Sequence, residues 1–264
     1  MRLALRVSYL GSRFFGSQMQ EDRRTVEGEF VAACERIKLF SDWRAAGLQA
    51  AGRTDRGVHA RGQVIAFSTE FGDRAFRALN FQLPPDLWCT AYAAVAPEFH
   101  PRYDARSRTY RYYFATPLDC AMMDAAAQPF LGSHNFTNFA RVGDKNPWRT
   151  VLSVRAGEEA GFSYLEVQAE SFLWHQVRCM AAAVYQVCAG EQADHWIPEL
   201  LRQETGRPIQ PAPAEGLILW DTDCGITWTP MPVADRSSAY LVQLRRHHAL
   251  MERVCGALDT GQRG

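Results

Sequence analysis

Two kinds of apolar periodicity alternate along this chain, and they restrict its possible folds more than any other feature. Residues 2–9 alternate at the period of a half-buried β-strand, and residues 48–51 and 64–67 read as two short strands on either side of a polar loop. After Thr25, which is suited to cap a helix, apolar side chains recur at helical spacing as far as Leu39. A chain that alternates strands and helices in this way packs both kinds of element around a common core.

The remaining segments extend this pattern to the end of the chain. The further predicted elements are a helix capped by Asp73 and running through Leu79, strands near 87–95, 107–115, 151–154, 164–169 and 216–220, and helices over 172–189, 196–202 and 237–258. The first half has the predicted order β-α-β-β-α-β-β, and the second half roughly repeats it. The last helix, which carries a basic cluster, is expected to be a packing or dimer helix, with a binding arm as the alternative.

The chain length fits one large or two closely packed domains, since 264 residues exceed a mean domain and fall short of two. The alanine-rich stretch 117–132, bracketed by Pro117 and Gly132, is predicted to be an irregular linker. It separates an N-terminal half, residues 1–116, from a C-terminal half, residues 133–264. Two halves that both mix helices with non-consecutive strands indicate an α+β protein with one sheet shared across both.

The positive charge is almost all arginine, although the formal net charge is zero. Of the 29 basic residues only Lys38 and Lys145 are lysine, which leaves 27 arginines. The planar guanidinium suits phosphate groups and base edges, but the codon usage of a GC-rich genome gives the same excess. Both explanations stay open, and net charge alone gives no reason to expect a nucleic-acid partner.

The sequence predicts a cytoplasmic protein with no membrane partner. No stretch reaches the roughly 18 uninterrupted apolar residues that a membrane span needs, and the N-terminus alternates instead of forming an apolar run. The seven cysteines are an odd number and include no C-x-x-C pair, which indicates free thiols in a reducing compartment. A zinc framework is therefore not expected.

A polar, glycine-rich loop lies between two predicted strands, and it reads Gly52-Arg53-Thr54-Asp55-Arg56-Gly57. Its two glycines permit a turn that presents Asp55 at the tip of the loop, between two positive charges. Two interpretations remain open here: a functional carboxylate, or an Asx-turn in which Asp55 accepts hydrogen bonds from its own backbone. Local physics does not distinguish them.

The run from Gly52 to Ala60, Gly-Arg-Thr-Asp-x-Gly-Val-His-Ala, resembles the catalytic signature of the TruA family of tRNA pseudouridine synthases. Other segments are similar to that family in the same order, from the first strand to about residue 220. They are Tyr9-x-Gly11-x-x-Phe14-x-Gly16-x-Gln18-x-Gln20, Gly62-Gln63-Val64, Leu83-Pro84-x-Asp86, Phe99-His100-x-Arg102-Tyr103, Arg108-x-Tyr110-Arg111-Tyr112, Phe136-Thr137-x-Phe139, Phe172-Leu173-x-His175-Gln176-Val177-Arg178 and Ala214-Glu215-Gly216-Leu217. The residues beyond that point carry no part of the resemblance.

The resemblance implies the pseudouridine-synthase fold, with two α/β halves sharing a mixed, mainly antiparallel sheet and a central active-site cleft. It implies an isomerase that converts uridine to pseudouridine at positions 38–40 of the tRNA anticodon stem-loop, working as a homodimer that grips one tRNA across both subunits. The reaction breaks the N1–C1′ bond and forms C5–C1′ with no redox change and no group lost, so no cofactor and no metal are expected. A non-catalytic RNA-binding module on the same fold is the alternative.

Carried over position by position, the resemblance makes Asp55 the catalytic nucleophile and Arg178 the arginine that pairs with it. Tyr110 matches a tyrosine that stacks on the target uracil and is a candidate for proton transfer, and Leu217 matches an aliphatic residue on the other side of the ring. Arg53 matches an arginine that contacts the RNA near the displaced base. Without the resemblance, Tyr110 reads as a sheet aromatic and Leu217 as a core leucine.

Three positions depart from the residues usual in the family. Leu10 stands where an aspartate is usual, Ser17 where a tryptophan is usual, and Trp174 where a histidine is usual. We expect these changes to affect RNA contacts and target choice more than chemistry. Arg56 and Trp174 are alternative RNA-contacting groups, although a tryptophan at the start of a helix is expected to lie in the core.

Two histidine patterns are candidates for metal sites. His175 and Cys179 lie four residues apart, on one face of the predicted helix 172–189, but no further ligands accompany them and Zn²⁺ needs three or four. His247 and His248 are adjacent, so on a helix they point about 100° apart and do not readily share one ion. These last two are expected to be solvent-exposed or to face RNA.

Overall fold

The strands of this protein form one continuous sheet. A computed structural model describes residues 1–203 and 209–259. Within them the strands are β1 (Arg2–Tyr9), β2 (Gln49–Ala50), β3 (His59–Ser68), β4 (Leu87–Val95), β5 (Ser107–Tyr113), β6 (Gly132–Asn135), β7 (Trp148–Glu159), β8 (Phe162–Ala169), β9 (Leu217–Asp223) and β10 (Thr229–Pro230). Their order across the sheet is β10-β4-β1-β3-β9-β5-β8-β7-β6, with β2 paired to β3.

The two halves of the chain meet at one parallel strand pair in the middle of the sheet. β3 and β9 pair in parallel, with His59 opposite Ile218 and Ala60 opposite Leu219. The other strand pairings are antiparallel. The α+β class with a mixed, mainly antiparallel sheet is therefore confirmed.

Five of the helices pack on the sheet in two groups. Within the described residues the helices are α1 (Val26–Arg36), α2 (Gly72–Gln82), α3 (Cys120–Ala127), α4 (Gln176–Cys188), α5 (Trp196–Arg202) and α6 (Asp235–Leu258). α1 and α2 share a core with β1, β3 and β4, whereas α3, α4 and α5 share one with β5, β7 and β8. None of the helices in residues 1–203 and 209–259 has both the length and the hydropathy to cross a membrane.

Both helix groups lie on the same face of the sheet. Leu217 belongs to the core of the second group and Leu219 to the core of the first, yet side chains two residues apart on a strand point to the same face. Tyr110 on β5 packs against both cores. The junction between the two groups therefore lies above the central strands, and it forms a cleft there.

The first strand is more buried than its alternating pattern predicts. Leu3 and Leu5 pack under α1 and α2, while Ala4 points to the other face and packs with Val64 and Phe99 in a smaller cluster. β1 lies between β3 and β4, so both of its edges are paired, and the two clusters cover its two faces. Its small residues thus face a second, thinner layer and not solvent.

Two predictions of where a helix begins are wrong. α2 begins at Gly72 with Phe71 at the N-cap, so Asp73 lies in its first turn and does not cap it. α4 begins only at Gln176, because His175 has φ of +66° and cannot continue a helix from residues 172–174.

The stretch 117–132 is not irregular. It contains α3, and Met123, Ala127 and Phe130 in it are fully buried in the second core. The division into residues 1–116 and 133–264 stays a prediction, and residues 204–208 and 260–264 of the second half lie outside the described residues.

Arg111 organises the face of the sheet opposite the cleft. Its Nε and Nη2 donate to Glu166 Oε2 at 3.0 and 2.7 Å, and its Nη1 donates to Glu159 Oε2 at 2.7 Å. The guanidinium also stacks 3.7 Å from the centre of the Trp220 ring. Arg155 pairs with the other oxygen of the same carboxylate, but its side chain is 60% exposed against 9% for Arg111. One glutamate thus pairs with one buried and one exposed arginine.

This arrangement predicts unequal costs for removing the two arginines. Arg111→Ala is expected to lower the free energy of unfolding by about 3 kcal/mol, because it breaks a buried pair and leaves Glu166 short of donors. Arg155→Ala, the matched control, is expected to cost less than about 1 kcal/mol, as solvent-exposed pairs do. Urea unfolding of the two variants measures both values. Equal losses would show that burial does not set the strength of these pairs.

Candidate active site

Asp55 lies at the tip of the loop that joins β2 to β3. The loop closes through a hydrogen bond from the Val58 N–H to the Asp55 carbonyl oxygen at 3.2 Å, and Gly57 takes φ of +85° beside it. The backbone of Asp55 therefore makes the turn, while its carboxylate points away and accepts hydrogen bonds from residues at the start of α4. This geometry does not match the Asx-turn interpretation, in which the carboxylate itself accepts from the loop.

The segment after β1 braces this loop. The Ser17 hydroxyl accepts a hydrogen bond from the Thr54 N–H at 2.8 Å, and the Ser17 N–H donates to the Thr54 carbonyl at 3.0 Å. The Tyr9 and Thr54 hydroxyls are 2.8 Å apart, and all three side chains are buried. Ser17 therefore holds the residue next to Asp55, and the expectation that its departure from the family pattern affects RNA contacts stays a prediction.

Gly11 lies in this same segment, residues 10–17, which we call the brace. It fixes how closely the brace approaches the loop that carries Asp55. A Cβ at Gly11 would lie 1.9 Å from the carbonyl oxygen of Val58, far inside van der Waals contact. The Gly11 N–H donates to His59 Nδ1 at 2.9 Å, and His59 Nε2 lies 3.2 Å from the Glu215 carbonyl oxygen. The brace, the loop that carries Asp55 and the segment before β9 are thus in direct contact.

Two hydrogen-bond donors and one histidine ring surround the carboxylate of Asp55. Arg178 Nη1 donates to Oδ2 at 3.1 Å, and His175 Nε2 lies 3.3 Å from the same oxygen. The indole Nε1 of Trp174 donates to Oδ1 at 2.8 Å. The Arg178 side chain is only 14% exposed, and its Nε donates to the Ala212 carbonyl at 2.7 Å. Arg178 is thus held by the backbone on one side and pairs with Asp55 on the other.

A small apolar pocket opens beside this carboxylate. It has a volume of about 70 Å³, and Val58, Tyr110, Phe172 and Leu217 are among the residues that line it. Tyr110 and Phe172 meet edge to face, with ring centres 5.2 Å apart. Asp55 lies at the polar side of this pocket, beside Arg178 and His175, and faces the apolar side across it.

Tyr110 is a neutral phenol in this setting. Burial raises its pKa well above the ordinary value, and the neighbouring Tyr9 and the negative charge of Asp55 act in the same direction, while Arg108 opposes them. The hydroxyl is therefore a hydrogen-bond donor at neutral pH and not an anion. The ring and the hydroxyl offer two different contacts to a ligand in the pocket.

Three exposed arginines lie on or near the loop that carries Asp55. Arg53 is exposed and lines the pocket directly. The guanidinium of Arg56 lies 4.3 Å from the centre of the Phe15 ring, and that of Arg23 lies 4.7 Å from the same centre. Phe15 thus orients two cations near the loop that carries Asp55. The sequence singled out Arg53 and Arg56 here but not Arg23.

His175 is placed differently from the metal-ligand pattern considered above. It precedes α4, in a left-handed conformation, and so does not share a helical face with Cys179. The Cys179 thiol instead donates to the Ile209 carbonyl at 3.2 Å. Burial lowers the pKa of His175, Asp55 opposes this shift, and Arg178 and Arg141 add to it. His175 is therefore a neutral imidazole at pH 7.

The expectation that Trp174 lies in the core is wrong. Its side chain is 51% exposed, and the indole N–H reaches Asp55. The prediction assumed that Trp174 lies within a helix that begins at residue 172. Instead, the left-handed His175 after it turns the chain and places the indole in the cleft. The apolar pattern around His175 is helical, so the sequence does not predict its left-handed conformation. His247 and His248 are exposed on α6, one of the two placements expected for them.

The sequence of this chain is similar to known tRNA pseudouridine synthases. A family model described as tRNA pseudouridine synthase matches residues 126–223. The tRNA pseudouridine synthase A of Methanoculleus marisnigri is 52% identical over 263 residues, covering 100% of this chain and 97% of its own. That of Methanosphaerula palustris is 52% identical over 98% of this chain and 93% of its own, and that of Thermococcus sibiricus is 37% identical over 84% of each.

The similarity to the Methanoculleus protein includes the C-terminal residues, which carry no family motif. A solved chain from the "Crystal Structure of a Cbf5-Nop10-Gar1 Complex" aligns with 70% of this chain and 54% of its own. Its TM-score of 0.35 and identity of 12% are too low to bear on the fold.

The contact at Gly11 predicts a position-specific effect of adding one methyl group. Gly11→Ala is expected to lower the free energy of unfolding by about 1–3 kcal/mol, because the new Cβ forces the brace and the loop apart. Gly52→Ala is the matched control in the same loop, since its Cβ would meet nothing within 4 Å. That change is expected to cost less than about 0.5 kcal/mol. Thermal and urea unfolding test the contrast, and equal effects would contradict the close approach.

Proposed function

The chain belongs to the tRNA pseudouridine synthase A family and isomerises uridine to pseudouridine in tRNA, and from this premise we propose that Asp55 is its catalytic nucleophile. The observation that carries the proposal is the Asp55 carboxylate, paired with Arg178 at 3.1 Å beside a pocket lined by Tyr110 and Leu217. A cleft that only bound RNA would gain nothing from a carboxylate facing an anionic ligand.

The chemistry fits a single well-placed carboxylate. The N1–C1′ bond of uridine must break, the base must turn, C5–C1′ must form, and the proton on C5 must leave while N1 gains one. Asp55 attacks C1′ or C6, or assists departure of the base, while the pocket retains the freed ring. Arg178 pairs with the carboxylate and aims it. We propose that this reaction proceeds with protein groups alone.

Tyr110 and Leu217 are the proposed walls for the target uracil. A base inside an RNA stem must be flipped out, at an unstacking cost of a few kcal/mol. The Tyr110 ring offers one stacking surface and the buried Leu217 an aliphatic one, and such contacts offset part of that cost. The neutral Tyr110 hydroxyl can donate a hydrogen bond to a carbonyl oxygen of the ring.

We propose that Arg53 contacts the RNA near the displaced base, with Arg56 and Arg23 on phosphates beside it. All three lie close to the loop that carries Asp55, and Phe15 holds two of them. Phosphate contacts of this kind position RNA without reading its sequence. The proposed target is the anticodon stem-loop at positions 38–40, and the proposed compartment is the cytoplasm, in keeping with seven free cysteines.

The central test replaces the proposed nucleophile. Asp55→Asn keeps the shape of the side chain but removes its charge, so turnover is expected to fall at least about 10³-fold while the protein stays folded and binds tRNA. Asp42→Asn is the matched control, because Asp42 Oδ1 accepts from the Arg44 N–H at 2.8 Å in a surface turn that asparagine also supports.

Both variants are incubated with unmodified tRNA transcripts, and pseudouridine is mapped at nucleotide resolution. The expected product of the parent protein and of Asp42→Asn is pseudouridine at positions 38–40. An Asp55→Asn protein with parental yield would overturn the assignment of the nucleophile. Product at other positions only would overturn the proposed target.

We also propose that the protein is a homodimer, with α6 as a subunit contact. Residues 245–258 of this helix are exposed in the part of the chain that the structure describes, and Met251, Val254 and Leu258 form an apolar stripe at helical spacing. An apolar stripe on a 24-residue helix is a common contact between identical subunits.

Sedimentation of the full chain tests this contact. Sedimentation of the parent protein is expected to give an apparent mass of twice the 29.8 kDa chain mass. Met251→Glu is expected to shift the apparent mass toward that of the monomer, because dimerisation would have to desolvate the new charge in the stripe. Ala249→Glu is the control, since it places the same charge on the opposite side of α6. A monomeric parent, or equal effects of both changes, would contradict the proposal.

A further inference from the structure

We propose that Trp174 is a positioning residue for the reaction, and that its indole N–H fixes the orientation of the Asp55 carboxylate. The inference rests on the proposed role of Asp55 as nucleophile. It concerns a different side chain. Trp174 stands where a histidine is usual in the family, and it is half exposed. The argument begins with how the chain brings this indole to the carboxylate.

Two consecutive residues, Trp174 and His175, both reach the same carboxylate. Neighbouring side chains point to opposite sides of a strand and about 100° apart on a helix, so regular backbone does not allow this. Here His175 has φ of +66° and ψ of 0°, a conformation that bulky residues rarely adopt. The two rings lie 4.7 Å apart at an angle of 47° and converge on Asp55. A strained residue at this point is what aims the indole.

The three contacts divide unequally between the two carboxylate oxygens of Asp55. Arg178 and His175 both lie at Oδ2, whereas Trp174 donates to Oδ1. A carboxylate held through one oxygen can turn about its Cβ–Cγ bond, and a second donor on the other oxygen fixes its plane. Reactions of this kind require the attacking atom to be aligned closely with its target. Trp174 therefore sets the one angle that the ion pair leaves free.

The indole is suited to orient the nucleophile without suppressing it. Unlike a second guanidinium, it brings no positive charge, so it does not neutralise the carboxylate further. It also occupies only one lone pair of Oδ1, and each carboxylate oxygen has two. The second lone pair stays free to attack the substrate. A neutral donor thus combines alignment with reactivity.

The indole is itself held in place, although it is not buried. The Trp174 carbonyl accepts a hydrogen bond from the Arg141 N–H at 2.9 Å, and the Arg141 guanidinium lies 5.1 Å from the centre of the indole ring. With 51% of the side chain exposed, burial does not account for the position of this tryptophan. The N–H contact with Asp55 and the cation on the ring account for it.

The experiment compares two changes at Trp174 with one matched change elsewhere. Trp174→Phe keeps an aromatic ring and removes the N–H, so kcat is expected to fall about tenfold with KM unchanged within about twofold. Trp174→His restores a ring N–H and is expected to recover most of the lost kcat. Trp148→Phe is the control, because Trp148 is 55% exposed and lies on β7 away from the cleft. It is expected to leave kcat, KM and the thermal midpoint unchanged.

Each outcome decides the inference. Parental kcat in Trp174→Phe would overturn it, and so would a change confined to KM, since that result would make the ring an RNA contact. Equal losses in Trp174→Phe and Trp174→His, together with lowered thermal midpoints, would show a packing role and also overturn it. A tenfold lower kcat in the phenylalanine variant with rescue by histidine supports it.

Asp55→Asn, assayed in parallel, keeps the two proposals apart. If Asp55→Asn retains parental turnover, the proposed nucleophile fails whatever Trp174 does. If Asp55→Asn is inactive and Trp174→Phe matches the parent, only the positioning role fails.

Discussion

The parallel pairing of β3 with β9 is the constraint on which the rest of this structure depends. It joins a strand from the first half to one from the second, across more than 150 residues of chain. Because both strands begin at this contact, the loop before β3 and the first residue of β9 lie side by side. Asp55 and Leu217 therefore line one pocket only because this strand pair forms. The two helix groups, which share a face of the sheet, then form the sides of the cleft.

The electrostatics of the protein are organised locally and not through its net charge. The opposing charges cancel over the whole chain, yet the cleft concentrates arginines around one carboxylate. On the opposite face, Arg111 and Arg155 are paired with acidic residues and stabilise the sheet. The arginine excess thus includes residues paired within the sheet and others, near Asp55, whose guanidinium groups remain available to RNA. The same side chain stabilises the fold in one place and is proposed to bind a polyanion in the other.

The cleft is also where the protein departs from its most stable local arrangement. His175 adopts a left-handed conformation, its Nδ1 is buried without a partner among the described residues, and the neighbouring Trp174 is half exposed. Each feature costs free energy that a packed helix start would not. Together they place the indole N–H of Trp174, the imidazole of His175 and the guanidinium of Arg178 around one carboxylate. The well-packed cores on either side provide the stability that permits this strain.

The sequence by itself determined the α+β class, the order of elements in the first half and the loop that carries Asp55. These follow from local rules: apolar periodicity sets the elements, and two glycines set the turn. Its motif resemblance also named the residues that the fold brings together, Arg178, Tyr110 and Leu217, although their roles stay proposals.

Only the tertiary structure decided how Ser17 and Trp174 are used. The sequence carries no signal that the Ser17 hydroxyl holds Thr54, and it places Trp174 in the core because it does not show the backbone turn at His175. Both outcomes depend on contacts between segments far apart in the chain, or on one left-handed residue that no periodicity encodes. Such features arise from the packing of the whole molecule, because a carboxylate and its donors meet only after the sheet has joined the two halves.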